Sequence, residues 1–494
     1  MQLFKKIPFF LFLLVVFFCL HGSVENYSYL NLNEVTVVAL EISAGITILF
    51  LIILVFSKNY IFSSLVTFFI SLWYLFFGSI HDLIKSKHFL SFIQSYSVLI
   101  PLIIIGTVTG IVLLKRNKQL HPKLVLYLNL LLLLYCLFDG FLLLNKYRHD
   151  NKTLPVYTVA FDESKVSQKP DVYFLLFDEY AGYKSLQDSF GFKNDSLYNY
   201  LQQQYFKVMP TFSNYDYTLS SMSSILNMQY VPVNYNRRTL TQPLNQHRMD
   251  EIKSGQVFSI FKTMNYTIEN YSIFNIQGFP ALSSSNPFFP ENKALLTDKI
   301  FHNRMLKDIG WWFVSGKFKI PFIKEHFLYR VDNYNKEMEE KVLKSAETRS
   351  TQPKFCYAHF FMPHGPYFRD STGAFNSPEQ IADELNKSLY LYYLKYTNSV
   401  IRSLVTKIVT HNPGAIIILM SDHGYYDYKA IGEYHPLNFD NICIFRSPHG
   451  KSKSYKQHLS SVNFFRYLLN TEFEQSLPYL KDSIVNVTGS PLPR

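Results

Sequence analysis

Charged residues are scarce in this chain. Asp, Glu, Lys and Arg make up 17% of its 494 residues, whereas about a quarter is usual in soluble proteins. Apolar residues make up 48% of the chain and are concentrated before Leu144. This distribution excludes an ordinary soluble fold for the first part of the chain. The second part is long enough to bury a sizeable core, as one large domain or two small ones.

Cysteine is also scarce, with only four in the chain and no Cys-x-x-Cys pair. No structural zinc site is therefore indicated. Cys19 and Cys136 lie in apolar runs. Cys356 and Cys443 lie in strand-like runs. Buried free thiols are the favoured interpretation, while a disulfide between Cys356 and Cys443 stays open.

A clustered basic surface is missing as well. The formal net charge is +11, but no helix face combines a group of Lys or Arg with interleaved aromatic residues. Binding of nucleic acid is therefore not expected. Much of the basic excess flanks apolar segments, where membrane topology explains it better.

Long apolar runs are what the first part of the chain does contain. They are Ile7–Leu20, Val35–Phe56, Phe62–Ile80, Phe89–Leu114 and Leu124–Leu144. The last four are long enough, or nearly so, to cross a hydrocarbon core of about 30 Å. The first is short and follows two lysines, so it is either a signal peptide or a signal anchor. We predict a transmembrane domain of about five helices over residues 1–146.

The basic residues predict the direction of these helices. Lys5, Lys6, Lys58 and the basic residues between 115 and 123 fall on one side, whereas the opposite loops hold only Lys85 and Lys87. The prediction is a multi-pass protein of the bacterial inner (cytoplasmic) membrane with its large domain on the periplasmic or extracellular side. Two acidic residues, Glu41 and Asp139, lie inside apolar runs, which marks them as functional candidates. Solvation at the membrane interface explains both equally well.

The rest of the chain is typical of an α/β domain. Residues 147–170 are polar and contain two prolines, so they predict a linker before a domain over 171–494. Val172–Phe177 and Ala415–Gly424 contain continuous apolar runs, as strands buried on both faces of a parallel sheet do, and Lys354–Gly365 resembles them more loosely. A helical pattern that allows for breaks runs from Ser377 to His411, between the last two. We predict a mostly parallel central sheet with helices on both faces, and an active site at the carboxyl ends of its strands.

Each of the three strand-like runs ends in polar side chains. They are Asp178 and Glu179, then His359 and His364, then Asp422 and His423. Taken singly, each has a structural explanation, because an Asp after a strand often caps a helix and a lone His is often a satisfied core residue. Together they offer the oxygen and nitrogen ligands that a divalent cation needs.

A Thr and Ser-rich stretch, residues 215–227, supplies a candidate nucleophile. A helix beginning near Leu219 would place the Thr218 hydroxyl at its N-terminus, where free N–H groups favour negative charge. A nearby metal would lower the pKa of that hydroxyl. The serines that follow, between 220 and 224, have the simpler explanation of capping and solvating the helix. We therefore predict Thr218 as the nucleophile.

These motifs resemble the alkaline phosphatase/sulfatase superfamily, in particular its membrane-anchored branch of lipoteichoic acid synthases and phosphoethanolamine transferases. The resemblance extends from about Asp171 to Asn470. Its motifs are DVYFLLFDE, TLSSMSSILNM, HFFMPHGPY, LMSDHG and SSVNFFRYLLN. The five apolar segments fit the same branch.

The resemblance implies a role for each candidate residue. Metal ligands are Asp178, Asp422, His423 and Thr218, with Glu179 as a further ligand; Thr218 and His364 are catalytic; His359, His364 and His435 bind substrate. For His435 a structural role is equally expected. The acidic pair at Asp178 leaves the metal open between Zn, Mn and a harder ion such as Ca or Mg, with one or two ions bound.

One departure from the superfamily bears on the reaction. The sulfatase signature has Pro and Arg two and four places after the nucleophile, but Ser220 and Met222 stand there. Formylglycine, and with it hydrolysis of sulfate esters, is therefore not expected. The resemblance implies a transferase that moves a phosphoryl-linked head group from a phospholipid donor to an envelope glycan or lipid acceptor through a phospho-Thr intermediate. The alternatives are an anchored phosphodiesterase, phosphatase or other ester hydrolase, and a non-catalytic envelope protein that kept the fold.

The segment from Asn236 to Thr351 carries no motif. We predict helices near Arg248–Met264 and His326–Lys344, and expect this segment to shape the acceptor side of the cleft.

Overall fold

The computed structural model describes residues 4–487, apart from 5, 28–29, 31, 88–91, 150–157, 210, 233–241, 282–291, 315–329, 382, 427–434 and 448–458. Backbone contacts divide the chain into two compact units. One contains residues 1–152 and 288–313, and the other contains residues 153–287 and 314–494. No pattern in the sequence predicted that residues 288–313 group with the N-terminal helices.

The N-terminal unit begins with five apolar helices, as predicted. They are α1 (Phe10–Glu25), α2 (Leu32–Ser57), α3 (Tyr60–Lys85), α4 (Tyr96–Arg116) and α5 (His121–His149). In the part of the chain that the structure describes, four helices are long and apolar enough to cross a membrane, namely α2 to α5. The first helix is shorter, at 16 residues.

Helix α1 packs into this bundle through an apolar face and one polar anchor. Phe10, Leu14 and Phe18 are buried. Asn129 of α5 is fully buried, and its Oδ1 accepts a hydrogen bond of 2.7 Å from the Phe10 N–H. Its Nδ2 donates to the carbonyl of Ile7 at 2.8 Å. Because a buried amide is costly unless it is hydrogen-bonded, these bonds fix where α1 begins against α5.

Asp139, one of the two acidic residues inside apolar runs, is buried on α5 and lies 3.1 Å from the Nδ1 atom of His21. It therefore has a partner on α1, and the contact supports a structural role.

Two short helices from the later chain complete the N-terminal unit, α11 (Asn292–Thr297) and α12 (Phe301–Val314). Lys299 lies between them, and its Nζ is 2.6 Å from Asp82 of α3. Arg304 reaches the other oxygen of Asp82 at 2.5 Å. The Gly78 N–H donates to the Lys299 carbonyl at 2.7 Å, and a Cβ at Gly78 would lie 2.8 Å from the Lys299 Cα. We call residues 288–313 the excursion. Glycine at position 78 permits the backbone of the excursion to contact α3 at Lys299.

The second unit contains a six-stranded sheet in the order β2-β7-β6-β1-β5-β4. Strands β4, β5, β1 and β6 run parallel, whereas β7 and β2 are antiparallel to their neighbours. This confirms the mostly parallel sheet. The strands are β1 (Val172–Phe177), β2 (Lys207–Val208), β4 (Thr267–Tyr271), β5 (Lys354–Phe360), β6 (Ile416–Met420) and β7 (Cys443–Arg446); β3 (Thr211–Phe212) and β8 (Leu459–Ser460) pair separately.

The register of the central strands sets where the site lies. Strand β1 is buried along its whole length between β5 and β6. Leu176 pairs with His359 on one side and with Met420 on the other. Because parallel strands end at the same edge, the residues after β1 and β6 emerge side by side there.

The helices of this unit are α6 (Tyr183–Phe190), α7 (Asp195–Gln203), α8 (Thr218–Asn227), α9 (Gln242–Lys253), α10 (Gln256–Thr263), α13 (Arg330–Glu347), α14 (Pro378–Ile381), α15 (Lys387–His411) and α16 (Phe464–Glu472). The helical segment expected over 377–411, for which breaks were allowed, is divided between α14 and α15. Helix α15 begins afresh because the Asn386 side chain accepts from the N–H groups of Ser388 and Leu389.

Two further expectations are corrected in detail. The helix expected near Arg248–Met264 is divided between α9 and α10 at Gly255. Of the helix expected near His326–Lys344, residues 326–329 lie outside the described part of the chain, and α13 extends to Glu347. All four cysteines are buried and free. Cys356 lies in β5 and Cys443 in β7, with β1 and β6 between them, so the disulfide left open does not form.

Candidate metal and nucleophile site

Three side chains converge at the carboxyl ends of β1 and β6. Asp178, Asp422 and His423 each offer a ligand atom, and these atoms lie within 4.8 Å of one another. All three side chains are buried. The two strands bring them together because Asp178 directly follows β1, while Asp422 and His423 are the second and third residues after β6.

The carboxylates at this point carry oxygens that the protein does not satisfy. Asp178 Oδ1, Glu179 Oε2 and Asp422 Oδ2 are buried and have no hydrogen-bond partner. Burial of an uncompensated carboxylate oxygen is costly, and a cation is one group that offsets the cost. One imidazole nitrogen among carboxylate oxygens is a donor set typical of divalent metals. The residues therefore fit a divalent ion held by Asp178, Asp422 and His423.

The pKa values of the two aspartates shift in opposite directions. Burial and the neighbouring Asp178 raise the pKa of Asp422 above its ordinary value. Burial opposes ionisation of Asp178 too, but the nearby histidines, His364 first, lower its pKa below the ordinary value. Two carboxylates this close cannot both ionise cheaply unless positive charge lies between them.

His423 is oriented so that one ring nitrogen faces the carboxylates. Its Nδ1 lies 2.8 Å from the carbonyl of Gly424. A carbonyl only accepts, so we assign the proton of the neutral ring to Nδ1 and the lone pair to Nε2. That Nε2 lies 3.4 Å from Asp422 Oδ2 and 3.7 Å from Asp178 Oδ1. Burial lowers the pKa of His423, but these carboxylates outweigh it and raise the pKa to about 9.

Glu179 lies at the same edge in a strained backbone conformation. Its φ is +61°, in the left-handed region that non-glycine residues rarely adopt. The Tyr390 hydroxyl donates to the Glu179 carbonyl at 2.8 Å, and the Tyr426 N–H donates to Oε1 at 2.8 Å. The second oxygen, Oε2, lies 3.7 Å from Nε2 of His364. Burial raises the pKa of Glu179 to about 7.

The candidate nucleophile, Thr218, is the first residue of α8. Its Oγ1 lies 3.4 Å from Nε2 of His423. Tyr217 precedes the helix and makes no side-chain cap, so the first N–H groups are left for a ligand. The Ser221 and Ser213 hydroxyls donate to the Asp422 carbonyl at 2.6 and 2.7 Å. Ser213 lies in the loop before α8, so the two bonds tie that loop and α8 to the segment just after β6.

Helix α8 also contacts a buried ion pair on α9, which the sequence analysis did not predict. Glu251 of α9 accepts a hydrogen bond from Ser223 at 2.6 Å and one from Arg248 at 2.5 Å. His247 lies 3.3 Å from the other oxygen of Glu251. The spacing of Arg248 and Glu251, three residues apart on one helix face, was the available signal. Nothing in the sequence pointed to Ser223 as the third partner.

The three predicted substrate histidines lie in different surroundings. His359 is fully buried, with Nε2 3.3 Å from Asp178 Oδ2 and Nδ1 3.2 Å from the Tyr357 hydroxyl. This placement favours orientation of Asp178 over contact with substrate. His364 is partly exposed beside Glu179, and although burial lowers its pKa, Asp178 and Glu179 raise it above the ordinary value.

His435 lies at the start of a short 3-10 turn, Pro436–Asn438. Its Nδ1 accepts from the Leu437 N–H at 3.3 Å. The structure thus places this histidine in a capping role, while residues 427–434 just before it lie outside the described part of the chain.

Comparison with known proteins gives one family. A family model described as Sulfatase matches residues 193–471, more than half of the chain. No curated protein matches the chain.

Solved structures resemble the chain only distantly. The C-terminal periplasmic domain of EcEptC from Escherichia coli, in complex with Zn, is 11% identical over 65% of this chain and 86% of its own, with a TM-score of 0.38. The phosphonate monoester hydrolase SpPMH from Silicibacter pomeroyi is 12% identical over 66% and 78%, with a TM-score of 0.39. A putative sulfatase from Bacteroides thetaiotaomicron is 12% identical over 66% and 76%, with a TM-score of 0.40.

Proposed function

The chain belongs to the sulfatase family, and we propose that it is a membrane-anchored, metal-dependent transferase acting on phosphorus rather than sulfur. Its substrate is a phospholipid, whose phosphoryl-linked head group passes to a glycan or lipid of the bacterial cell envelope. The observation that carries the proposal is the position of Thr218 Oγ1, 3.4 Å from His423 at an uncapped helix N-terminus. Ser220 and Met222, in place of the Pro and Arg of the sulfatase signature, favour a threonine nucleophile over formylglycine.

The membrane anchor supports the choice of donor. Four helices are long and apolar enough to cross a membrane in the described part of the chain. An enzyme tethered at a bilayer meets lipid head groups at high effective concentration, so it needs little binding energy to collect them. The basic residues flanking the helices support a catalytic domain on the periplasmic or extracellular face of the inner membrane.

The metal proposed for the site is Zn or Mn. The donor set includes an imidazole nitrogen, whereas Ca²⁺ takes six to eight oxygens. A divalent ion held by Asp178, Asp422 and His423 would lower the pKa of the Thr218 hydroxyl, so that its proton is lost to solvent, and would offset charge on the phosphoryl oxygens.

The side chains then account for both halves of the reaction. Thr218 Oγ1 forms a bond to phosphorus while the bond from phosphorus to the diacylglycerol oxygen breaks. His364, whose raised pKa favours its protonated form, gives a proton to the leaving oxygen. An acceptor hydroxyl next attacks phosphorus, its proton goes to His364, and the bond to Thr218 breaks. Helix N–H groups of α8 stabilise the charge that develops on the oxygens.

Water in place of the acceptor would make the protein an anchored hydrolase with the same residues. The product decides between the two, because a transferase yields a modified glycan or lipid and a hydrolase yields the free head group. We assign the choice of acceptor to the segment between Asn236 and Thr351.

Intact-protein mass spectrometry of the detergent-solubilised full chain tests the proposal. We expect a phosphoryl or head-group-phosphoryl adduct that maps to Thr218 and disappears in Thr218→Ala. Ser220→Ala is the matched control, since it removes a hydroxyl two residues further along the same helix and should keep the adduct. An adduct that persists in Thr218→Ala would refute the nucleophile. If the wild-type protein carries neither the adduct nor a bound divalent metal, the proposal that it is an enzyme is refuted.

A further inference from the structure

The N-terminal unit contains a pocket that the proposed chemistry does not use. Its volume is about 600 Å³. Helices α2 and α3 form two walls, and the excursion helices α11 and α12 form a third. The lining on α2 runs from Val38 to Leu49. Eleven residue steps at about 1.5 Å each make this wall roughly 16 Å long.

Most of the lining is apolar and follows one helix face. On α2 it includes Val38, Ile42, Ile46 and Leu49, at spacings of three or four residues. The α3 wall includes Ile70 and Leu75. Neighbouring side chains of α2, such as Leu40 and Ile48, are exposed, as expected of a helix that faces lipid. The pocket is therefore a long apolar slot beside a bilayer-facing helix.

Part of the lining is polar and consists of Glu41, Tyr74, His302 and Asn303. The Tyr74 hydroxyl lies 2.8 Å from His302 Nδ1, and the two rings stack with centroids 5.7 Å apart. The positions of the basic residues along the chain place the start of α2 and the end of α3 at the extracytoplasmic interface. Glu41 thus lies nearer to the head groups than Ile46 and Leu49, which lie deeper among the acyl chains.

The wall formed by the excursion is fixed in place. Asp82 is bound by Lys299 and Arg304, and the Lys299 carbonyl accepts from the Gly78 N–H. The Tyr96 hydroxyl also donates to Asp308 of α12. These contacts hold His302 and Asn303 against α3, so the slot is preformed.

We propose that this slot binds one acyl chain of an outer-leaflet phospholipid whose head group donates hydrogen bonds. A long apolar slot matches a lipid chain, whereas a soluble metabolite would leave the apolar wall unmatched. The Glu41 carboxylate in the lining accepts hydrogen bonds and favours a head group with ammonium or hydroxyl donors. Ethanolamine and glycerol head groups share that chemistry, and choline lacks it. The binding site stands apart from the catalytic proposal and survives its failure.

Gly45 provides a clean way to close the slot. It lines the pocket, and a Cβ there would meet nothing within 4 Å. Gly45→Phe should therefore fill the slot without disturbing α2. Gly106→Phe is the matched control, because Gly106 lies on α4, does not line the pocket and is equally open.

Native mass spectrometry of the full chain with equal amounts of phosphatidylethanolamine, phosphatidylglycerol and phosphatidylcholine measures the occupancy. We expect one retained phospholipid on the wild-type protein and on Gly106→Phe, and at least a tenfold lower occupancy on Gly45→Phe. An excess of ethanolamine or of glycerol lipid identifies the head group, and Glu41→Gln should reduce that excess. Equal lipid retention by Gly45→Phe and the control, or retention of detergent alone, overturns the site. Equal or preferred binding of phosphatidylcholine overturns the head-group assignment.

A photoactivatable acyl-chain probe on the wild-type protein gives a second readout that needs no variant. We expect labelling between residues 38 and 49 of α2. Labelling confined to other lipid-facing helices would refute the slot.

Discussion

Removal of the charge on Glu251 should destabilise the helix that carries Thr218. Glu251 is 1% exposed, and it accepts hydrogen bonds from Ser223 and Arg248. The variant Glu251→Gln keeps the size of the side chain but leaves the Arg248 guanidinium, also 1% exposed, without its counterion. Breaking a buried ion pair in this way typically costs about 3–5 kcal/mol.

The pKa of Glu251 gives the same magnitude by a separate route. Burial alone would raise that pKa, but His247, Arg248 and Ser223 lower it from 4.5 to about 2. At about 1.4 kcal/mol per pKa unit, this shift corresponds to roughly 3 kcal/mol of stability at neutral pH. We therefore expect Glu251→Gln to lower the free energy of unfolding by about 3 kcal/mol.

The pH dependence of that loss follows from the sign of the shift. The folded-state pKa is depressed, so the stabilisation is fully present above the unfolded value near 4.5 and is lost as the pH falls through about 2. The difference between wild type and variant should be constant from pH 7 to about 5 and shrink below that.

Urea unfolding of the full chain in detergent, followed at a series of pH values, measures this difference. Glu163→Gln is the control, because Glu163 lies 3.1 Å from Lys169 in a largely exposed pair and should change the free energy of unfolding by less than about 1 kcal/mol. A loss at pH 7 no larger than that of the control, or one that persists unchanged toward pH 3, would show that Glu251 does not hold the helix through its charge.

Three further outcomes are expected. Asp422→Asn should lower divalent-metal affinity at least tenfold, measured by elemental analysis after dialysis, and unchanged metal content would exclude Asp422 as a ligand. Gly424→Ala should cost about 1–3 kcal/mol of unfolding free energy and weaken metal binding, because its Cβ would lie 2.0 Å from a backbone carbonyl oxygen, and an unaltered variant would contradict this packing. Cys356 and Cys443 should resist alkylation until the protein is denatured, since burial raises the pKa of both thiols, and rapid native labelling would contradict their burial.

The strands that carry the site could be predicted from local patterns in the sequence. An apolar run of strand length that ends in Asp or His predicts both a buried strand and the edge where its polar residues emerge. That reasoning placed Asp178, Asp422 and His423 at one edge, and the structure brings them within 4.8 Å. It did not reveal that His359 lies behind Asp178, because His359 is inside β5, where the direction of a side chain depends on the register of the strand against its neighbours.

The grouping of the excursion, residues 288–313, with the N-terminal helices could not be predicted in the same way. Its helices are short, and their pattern shows an apolar face without showing which surface covers it. The contact depends on Asp82, which lies in an apolar helix more than two hundred positions earlier and binds Lys299 and Arg304. Pairing over such a distance leaves no periodic signal in one sequence.

The serine-rich stretch before Asn227 shows how one helix serves chemistry and structure together. Thr218 and Ser221 are three residues apart, so they share the helix face that meets the end of β6. There Ser221 binds the Asp422 carbonyl, and Thr218 is left 3.4 Å from His423. Ser223 lies on another face and binds Glu251. Since these serines are occupied by structural bonds and Thr218 lies at the uncapped N-terminus, the geometry favours the threonine as the nucleophile.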